Sequence, residues 1–400
     1  MKKGLFAAAA ALLLFCLAAC GARKDPSETA ASPVLSDFPV IHELEFGGVY
    51  LDKTIDEFNA LGFVYGDSVD VTFSNGYKLE DLPYYNGYYT RTGDPLVVAY
   101  PGYPHIKVCI NNGSDLWLLA GLDESMSGKI VLREKGKYAN IQDARDIHYE
   151  DEREKFPSDE VFANFRAVKA GQIAENTLYR SASPCDNQHQ RAPYTDALMK
   201  EAGVQYILNL ADNDEKIKGY LAKEDFASPY FLTLYESGSV DPIALNMNFS
   251  SEDFRAKVAS GLARMAERSG PYLVHCTEGK DRTGFVCLLL EALCGASYEE
   301  IVDDYMITYD NYYQISKDER GLNASHSLLQ SYYQLKESQN SVRYTVIVEN
   351  VLNPMVQVLA GNETDLAKAD LQAGAEAFLL SGGMSKEQIS ALQAALCGKS

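Results

Sequence analysis

The sequence predicts an α/β domain, a parallel sheet flanked by helices, preceded by a small β-rich domain. From about residue 161, apolar runs at 204–210, 231–235 and 271–274 alternate with longer stretches of helical periodicity. Strands separated by helices pair in parallel, and helices then cover both faces of the sheet. Upstream of these runs, short alternating segments are interrupted by Asn-Gly pairs, which are typical of hairpin turns. A length of 400 residues also suggests two or three domains.

The β-rich domain is predicted over residues 38–149. Residues 69–73 alternate, 74–76 read Ser-Asn-Gly and 77–79 continue the alternation, which indicates a hairpin. The turns are rich in tyrosine, and these side chains either form a binding face or pack a small barrel with their hydroxyl groups outward. The tyrosines concerned are Tyr84, Tyr85, Tyr88, Tyr89, Tyr100 and Tyr103.

The first twenty residues have the features of a targeting segment. Lys2 and Lys3 precede an apolar run that is too short to span a bilayer comfortably. The run ends in Leu-Ala-Ala-Cys-Gly, which resembles a bacterial lipoprotein signal with Cys20 as the lipid-bearing residue. We therefore expect a signal peptide at 1–19, a tether at 20–37 and an extracytoplasmic protein, lipid-anchored to the bacterial cell membrane. An ordinary signal peptide cleaved nearby is the alternative.

The charge of the chain excludes one class of partner. The formal net charge is −20, and removal of residues 1–19, which hold two lysines and no acid, gives 34 − 56 = −22. A balance this acidic argues against binding to nucleic acid. It leaves room for a local phosphate site. Residues 150–160 are acidic and charged, and we expect them to link the β-rich domain to a catalytic domain at 161–400.

The most informative stretch is residues 275–284, which read His-Cys-Thr-Glu-Gly-Lys-Asp-Arg-Thr-Gly between a predicted strand and a predicted helix. A tight loop at a helix N-terminus directs backbone N–H groups and a partial positive charge at one point, where phosphate fits. Cys276 becomes a nucleophile when its thiolate is stabilised by such a site. Arg282 offers a planar fork that matches two phosphoryl oxygens. In the alternative interpretation, Cys276 is only a small buried residue at a strand–helix junction.

Other residues of the loop are expected to surround the phosphate. Lys280 adds a second cation, Thr283 is placed to hydrogen-bond the sulfur, and His275 is placed to order the loop from behind. The predicted phosphate-binding residues are Thr277, Glu278, Gly279, Lys280 and Thr283.

This loop resembles the signature of cysteine-dependent protein-tyrosine phosphatases, and Gly-Lys-Asp-Arg-Thr-Gly is similar to the bacterial secreted tyrosine and phosphoinositide phosphatases. The resemblance extends over about 160–400 and includes Asn-Phe-Arg at 164–166 and Tyr-Arg-Ser at 179–181. The family has Asp-Val-Gly-Gly after the first of these arginines, whereas this chain has Ala-Val-Lys-Ala. The resemblance implies a protein-tyrosine-phosphatase-like fold for 161–400. Arg166 and Arg180 either reach the phosphate or form structural ion pairs.

A phosphatase of this class needs a general acid that protonates the leaving oxygen. The family resembled places one after the second strand, where this chain has Glu-Ser-Gly, so no candidate matches cleanly. Asp281 comes first because the motif fixes its place near the leaving oxygen. Its alternative role is to brace the loop by accepting backbone N–H bonds. Asp241, Glu236 and Asp212 are the further candidates.

The predicted function is hydrolysis of phosphate monoesters through a phosphocysteine. Protein phosphotyrosine is the first substrate expected, with phosphoinositides or inositol phosphates second, and no cofactor or metal is implied. The alternatives are a non-catalytic surface lipoprotein that binds phospho-ligands, and a sulfur-transfer or arsenate enzyme with the same loop. The six cysteines after Cys20 fit no zinc spacing.

Serine-led capping patterns predict three helix starts in the catalytic domain. In each pattern, a serine at the N-cap is followed three residues later by a side chain that can accept a hydrogen bond from the N-cap N–H. The pairs are Ser250 with Asp253, Ser297 with Glu300, and Ser385 with Gln388.

Overall fold

Seven strands close into a barrel in the first part of the chain, as seen in a computed structural model that describes residues 32–146, 150–313, 315 and 339–398. The strand order is β1-β2-β6-β5-β4-β3-β7, and closure leaves no free sheet edge. The strands are β1 (Val34–His42), β2 (Val49–Leu51), β3 (Ser68–Phe73), β4 (Lys78–Tyr85), β5 (Pro95–Val98), β6 (Lys107–Ile110) and β7 (Ser127–Glu134). Three short helices accompany them: α1 (Ile55–Ala60), α2 (Leu116–Leu119) and α3 (Ala139–Arg145).

The predicted β-rich region is confirmed. The hairpin forms between β3 and β4, and Gly76 adopts φ +89° in its turn. Alternate residues of β3 point inward, so Val69, Val71 and Phe73 are buried. The first strand begins at Val34, four residues before the predicted limit of the domain.

The predicted signal peptide and the lipid-bearing Cys20 lie outside the described residues. Within the described ranges, no helix is both long and apolar enough to cross a membrane. The described residues from Pro33 onward belong to one compact unit, so the barrel and the following α/β part pack together.

A five-stranded sheet forms the centre of the second part, in the order β11-β10-β12-β9-β8. Its strands are β8 (Arg166–Ala167), β9 (Leu178–Ser181), β10 (Tyr206–Asn209), β11 (Val240–Pro242) and β12 (Tyr272–His275). The helices before the catalytic loop are α4 (Asp159–Phe162), α5 (Ala192–Glu201), α6 (Asp214–Leu221), α7 (Pro229–Glu236) and α8 (Glu252–Ala266). Those after it are α9 (Asp281–Leu293), α10 (Tyr298–Tyr313), α11 (Gln339–Ile347), α12 (Asn353–Ala360), α13 (Leu371–Ser381) and α14 (Lys386–Cys397).

The sheet is mixed, which corrects the prediction of a parallel sheet. β9, β10, β11 and β12 pair in parallel, but β8 runs antiparallel to β9. The reason lies in the connection, because a parallel pair needs a crossover of a dozen or more residues, usually a helix. Only the short segment 168–177 joins β8 to β9, and it contains no helix.

The strand predicted at 231–235 is a helix, α7. Buried and exposed side chains do not alternate along this apolar run, as they would in a strand. The buried positions are Phe231 and Leu234, which are three residues apart, as on one face of a helix. Pro229 lies in the first turn, where its fixed φ favours a helix. The carboxylate of Asp196, on α5, accepts from the N–H groups of Tyr230 at 3.1 Å and Phe231 at 2.7 Å. The strand of this region that pairs with β10 is β11, which follows the helix.

Two of the predicted capping boxes are present and one is displaced. Ser297 and Glu300 exchange hydrogen bonds at 3.2 and 2.8 Å before α10, and Ser385 with Gln388 caps α14. The third helix, α8, is capped by Ser251, one residue later than predicted.

An ion pair is buried in the barrel. Lys107 is 1% exposed, and its Nζ lies 2.5 Å from Oε2 of Glu43. The carboxylate also accepts from the N–H groups of Glu45 at 2.8 Å and Phe46 at 3.2 Å. The ammonium has one further described hydrogen bond, to Oη of Tyr88 at 3.4 Å. Removal of either partner therefore leaves a buried charge, but the carboxylate keeps better partners than the ammonium.

We expect Glu43→Gln to lower the free energy of unfolding by about 3 kcal/mol, because it strands a buried cation. Lys107→Met should cost less, since Glu43 keeps two backbone donors. Trp117, the single tryptophan, lies on α2 beside the barrel, so its fluorescence during urea unfolding reports the barrel. Lys129→Met, the same change at an exposed position of β7, is the control. A larger loss for Lys107→Met than for Glu43→Gln would contradict the prediction.

Candidate active site

The carboxyl ends of four parallel strands meet at one edge of the sheet, as ligand sites in such sheets do. Asn209 of β10 is level with both His275 of β12 and Pro242 of β11, and His275 is level with Ser181 of β9. Cys276 follows β12 directly at this edge and is 4% exposed. The loop ends where α9 begins at Asp281, so the predicted strand, loop and helix are all present.

The loop is held by its carbonyl groups. Each of three carbonyl oxygens accepts from a donor outside the loop: Thr277 from Ser183 N at 3.0 Å, Glu278 from Tyr312 Oη at 2.8 Å, and Gly279 from Arg180 Nη2 at 3.0 Å. In a trans peptide the C=O and the following N–H point in opposite directions. The N–H groups of residues 278–280 are therefore turned to the other side of the loop, which is the arrangement of an anion-binding nest.

Gly279 is required by this geometry. Its φ is +67°, in the left-handed region that favours glycine, and a Cβ at this position would lie 2.2 Å from the carbonyl oxygen of Ser181. The loop therefore approaches β9 more closely than any side chain would allow.

Arg166 and Arg180 form structural ion pairs, one of the two roles considered from the sequence. Nη1 of Arg180 lies 2.6 Å from Oδ2 of Asp304, and Nε of Arg166 lies 3.1 Å from Oδ1. Burial alone would raise the pKa of Asp304, but the two guanidinium charges outweigh it and hold the pKa well below its usual range. Asp304 thus stays ionised and fixes Arg180, whose Nη2 holds the carbonyl of Gly279.

His275 orders the loop from behind, as the sequence suggested. It is fully buried, and its Nδ1 lies 3.2 Å from the carbonyl oxygen of Cys276. Burial lowers the pKa of the imidazole well below its ordinary value, so the ring is neutral at neutral pH. A neutral ring with its proton on Nδ1 donates to that carbonyl.

Arg282 folds back across the loop. Its Nη2 lies 3.2 Å from Oγ1 of Thr277, and its Nη1 donates to the carbonyl of Leu245 at 3.3 Å. Thr283 is fully buried, and its Oγ1 has no hydrogen-bond partner among the described residues. The predicted hydrogen bond between Thr283 and the sulfur is therefore not formed in this structure.

A cavity of about 720 Å³ opens above this edge. The loop contributes Glu278, Lys280 and Asp281 to its lining, and the barrel contributes the opposite wall. Tyrosines from both parts line it: Tyr88, Tyr89, Tyr100 and Tyr103 from the barrel, and Tyr309 and Tyr313 from α10. The sequence left two roles open for the barrel tyrosines, and both occur. Tyr84 and Tyr85 are buried in the barrel, while the other four line the cavity.

Asp281 is the acid candidate that lies in the cavity. Its side chain is 27% exposed, and Oδ2 lies 3.9 Å from Nζ of Lys280. Burial raises the pKa of this carboxyl, the charge of Lys280 opposes the rise, and that of Glu278 adds to it. Among the described residues, no backbone N–H donates to the carboxylate of Asp281, so the bracing role is not seen.

Lys280 is paired within the loop. Its Nζ lies 2.8 Å from Oε2 of Glu278, so Glu278 offsets part of the cationic charge that the motif brings to the cavity. Both side chains are largely buried.

The other three acid candidates either lie away from the loop or are engaged by other side chains. Glu236 ends α7 and is exposed, before the amino end of β11 and therefore at the opposite edge of the sheet. Asp241 pairs with Arg264 at 2.8 and 3.1 Å. Asp212 lies at the correct edge but is buried, and it accepts from Asn209 at 3.1 Å and Tyr220 at 3.3 Å.

Sequence reasoning missed the groups that hold the loop. Asp304, Ser183 and Tyr312 lie far from the loop along the chain, and none belongs to a motif. Tyr312 and Asp304 both lie on α10, and no pattern in the sequence of this helix indicates contact with the loop.

The described residues contain no cluster of His, Cys, Asp or Glu that could hold a metal ion, and no disulfide joins the six cysteines that the structure describes.

Three comparisons place this chain among known proteins. Residues 160–398, more than half of the chain, match the tyrosine phosphatase family. A protein of Cupriavidus necator, provisionally named a tyrosine-protein phosphatase, is 45% identical over 47 residues, 12% of this chain and 17% of that relative. The core catalytic domain of the PP-IP phosphatase SIW14 of S. cerevisiae, crystallised with citrate, is 20% identical, with a TM-score of 0.25 over 44% of this chain and 96% of that one. That structural overlap is too weak to carry an argument.

The fold and the loop define a phosphatase domain. The chain belongs to the tyrosine phosphatase family, which confirms at family level the resemblance that the sequence carries.

We expect Gly279→Ala to weaken phosphate binding by at least about tenfold, because a left-handed alanine costs roughly 1–2 kcal/mol and its Cβ must also displace Ser181 or the loop. Gly238→Ala is the matched control. Gly238 has φ +73° but no atom within 4 Å of the added Cβ, so it carries the backbone strain alone. Isothermal titration with inorganic phosphate measures both. Equal phosphate affinities in the two variants would show that the close approach at Gly279 does not shape the nest.

Proposed function

We propose that the protein is a metal-independent phosphomonoesterase that works through a phosphocysteine on Cys276. The observation that carries the proposal is the loop itself. Its N–H groups are turned to one side by the bonds to its carbonyls, with Cys276 at its start and Arg282 folded across it. A nest of N–H groups and a guanidinium stabilise the charge that develops on the transferring phosphoryl group.

The first step forms a bond between Sγ of Cys276 and phosphorus while the P–O ester bond breaks. The carboxyl of Asp281 gives its proton to the leaving oxygen, and burial favours its protonated form. In the second step water attacks phosphorus, Asp281 takes the proton of that water, and the P–S bond breaks. Inorganic phosphate leaves, and the thiolate and the protonated Asp281 are restored.

Two substrate classes fit the proposal. Phosphotyrosine of proteins is one, because the cavity beside the loop is lined by tyrosines, against which an aromatic phosphoester can pack. Phosphoinositides or inositol phosphates are the other, because Lys280 brings a second cation beside the nest, part of whose charge Glu278 offsets. We also propose that the protein acts outside the cytoplasm, held to the membrane by a lipid on Cys20. That proposal rests on the sequence of residues 1–21 alone.

We expect the soluble chain starting at Gly21 to hydrolyse para-nitrophenyl phosphate in the presence of EDTA and reductant. Cys276→Ser should lower kcat by about 10³-fold or more, because the hydroxyl is a far weaker nucleophile than a stabilised thiolate. Cys397→Ser, which removes a thiol on α14 away from the loop, is the matched control. An inactive wild-type protein that still binds phosphate would instead support a phospho-ligand-binding protein, and full activity in Cys276→Ser would refute the phosphocysteine.

A second prediction concerns pH and the leaving group. With phenyl phosphate, whose leaving oxygen needs a proton, kcat/KM should fall as pH rises through the raised pKa of Asp281, because deprotonation removes the acid. Asp281→Asn should remove this high-pH limb of the kcat/KM profile. At pH values below the limb, it should lower kcat/KM by about 10²–10⁴-fold. The loss should be smaller with para-nitrophenyl phosphate, which leaves readily. Asp241→Asn, which alters a carboxylate paired with Arg264, should keep the limb. A limb that persists in Asp281→Asn would assign the acid to another group.

A further inference from the structure

Arg145, the last residue of α3, is a buried cation in the wall of the cavity. Its side chain is 7% exposed, and its Nε and Nη1 atoms have no hydrogen-bond partner among the described residues. The guanidinium lies over the ring of Tyr89, 5.5 Å from the centroid. A buried guanidinium without a counter-charge is costly, so this position calls for an anionic partner that the described residues do not supply.

Comparison with two other buried arginines shows that Arg145 is unusual. Arg180 pairs with Asp304 at 2.6 Å, and Arg191 pairs with Asp151 at 2.5 Å. Both satisfy the usual requirement that a buried charge is paired. Arg145 has no such carboxylate within the described ranges, and it faces the cavity that the catalytic loop also lines.

Arg145 is held in place by the barrel. Gln142, one turn earlier on α3, donates to Oδ1 of Asn86 at 2.6 Å and accepts from the N–H of Asn86 at 3.3 Å. The N–H of Tyr138, which precedes the helix, donates to the carbonyl of Gly66 at 2.7 Å. The helix is thus fastened to the barrel at two points, and the guanidinium is presented from a fixed position.

Among the described residues, Arg145 is the cation of the cavity lining that has no carboxylate partner. Lys280, on the same lining, is paired with Glu278 at 2.8 Å, and burial favours the uncharged form of Asp281. Two further carboxylates of the lining are Glu45 and Asp115, and Asp115 is engaged by His42 at 2.7 Å and by the N–H groups of Gly48 and Trp117. Lys107, also on the lining, is neutralised by Glu43.

We propose that Arg145 binds a second phosphate of the substrate, carried by the same small molecule whose first phosphate lies in the nest of the catalytic loop. The fork of an arginine matches two phosphate oxygens, and a cavity of about 720 Å³ has the size of a small-molecule site. This inference rests on the proposed function for the role of the loop. It makes the cavity selective for multiply phosphorylated small molecules over singly phosphorylated ones, whether they are free inositol phosphates or phosphoinositide head groups.

The test begins with binding, which needs no turnover. In the Cys276→Ser background, isothermal titration compares inositol 1,4,5-trisphosphate with O-phosphotyrosine. Arg145→Gln should weaken trisphosphate binding by at least about tenfold more than phosphotyrosine binding, the loss expected when a charge-assisted hydrogen bond is removed. Arg145→Lys should restore part of the difference, because it keeps the charge but loses the fork. Arg133→Gln, which removes a charge from the outer face of the barrel, is the matched control.

Each result decides a separate point. Equal effects of Arg145→Gln on both ligands, or no effect on either, overturn the inference, even if para-nitrophenyl phosphate is hydrolysed normally. Absence of any turnover overturns the proposed function, whereas the titrations still decide whether Arg145 binds a second phosphate. The wild-type protein is then given free trisphosphate and phosphatidylcholine vesicles that contain phosphatidylinositol bisphosphate. An Arg145-dependent rate on one of them identifies the source of the second phosphate. The same dependence on an acidic phosphotyrosine peptide alone would overturn the small-molecule assignment.

Discussion

The site depends on the outward anchoring of the loop carbonyls. A loop of this length would otherwise turn its peptide planes freely, and a phosphate nest exists only while successive N–H groups point the same way. Arg180 holds one carbonyl, and it is itself held by Asp304, which also pairs with Arg166. The chain thus places three buried charges behind a loop that, in our proposal, binds an external anion. Their mutual pairing keeps those charges from competing for the ligand, and the ligand meets the N–H side of the loop.

The barrel completes the site from the other side. The family match begins at residue 160, so the barrel lies outside the part of the chain that defines the family. Four of its tyrosines nevertheless face the cavity, and α3 brings Arg145 to the same wall. In our proposal, the loop provides both phosphate binding and the chemistry. The barrel contributes to the shape and charge of the cavity beside the loop.

The sequence predicted the local features of this protein well. The strand, loop and helix around Cys276 follow from short-range patterns, as do the hairpin at Gly76 and the caps at Ser297 and Ser385. Contacts between residues that lie far apart along the chain could not be predicted from the sequence. Asp196 accepts from two N–H groups in the first turn of α7, and the apolar run there is a helix. The connection between β8 and β9 is short, so β8 runs antiparallel to β9. The anchoring of the loop by Ser183, Tyr312 and Arg180 depends on pairings that no local pattern encodes. The unpaired state of Arg145 likewise becomes visible only when its surroundings are known.

One consequence follows from the two-sided construction of the cavity. A competitive inhibitor that occupies only the nest would meet groups common to many phosphate-binding loops, and it would discriminate poorly between them. A molecule long enough to extend from the nest to the tyrosine wall would take part of its affinity from residues that precede the family domain. Selectivity for this protein is therefore accessible through the barrel, and substitutions on that wall could confer resistance to such a compound without altering the catalytic loop.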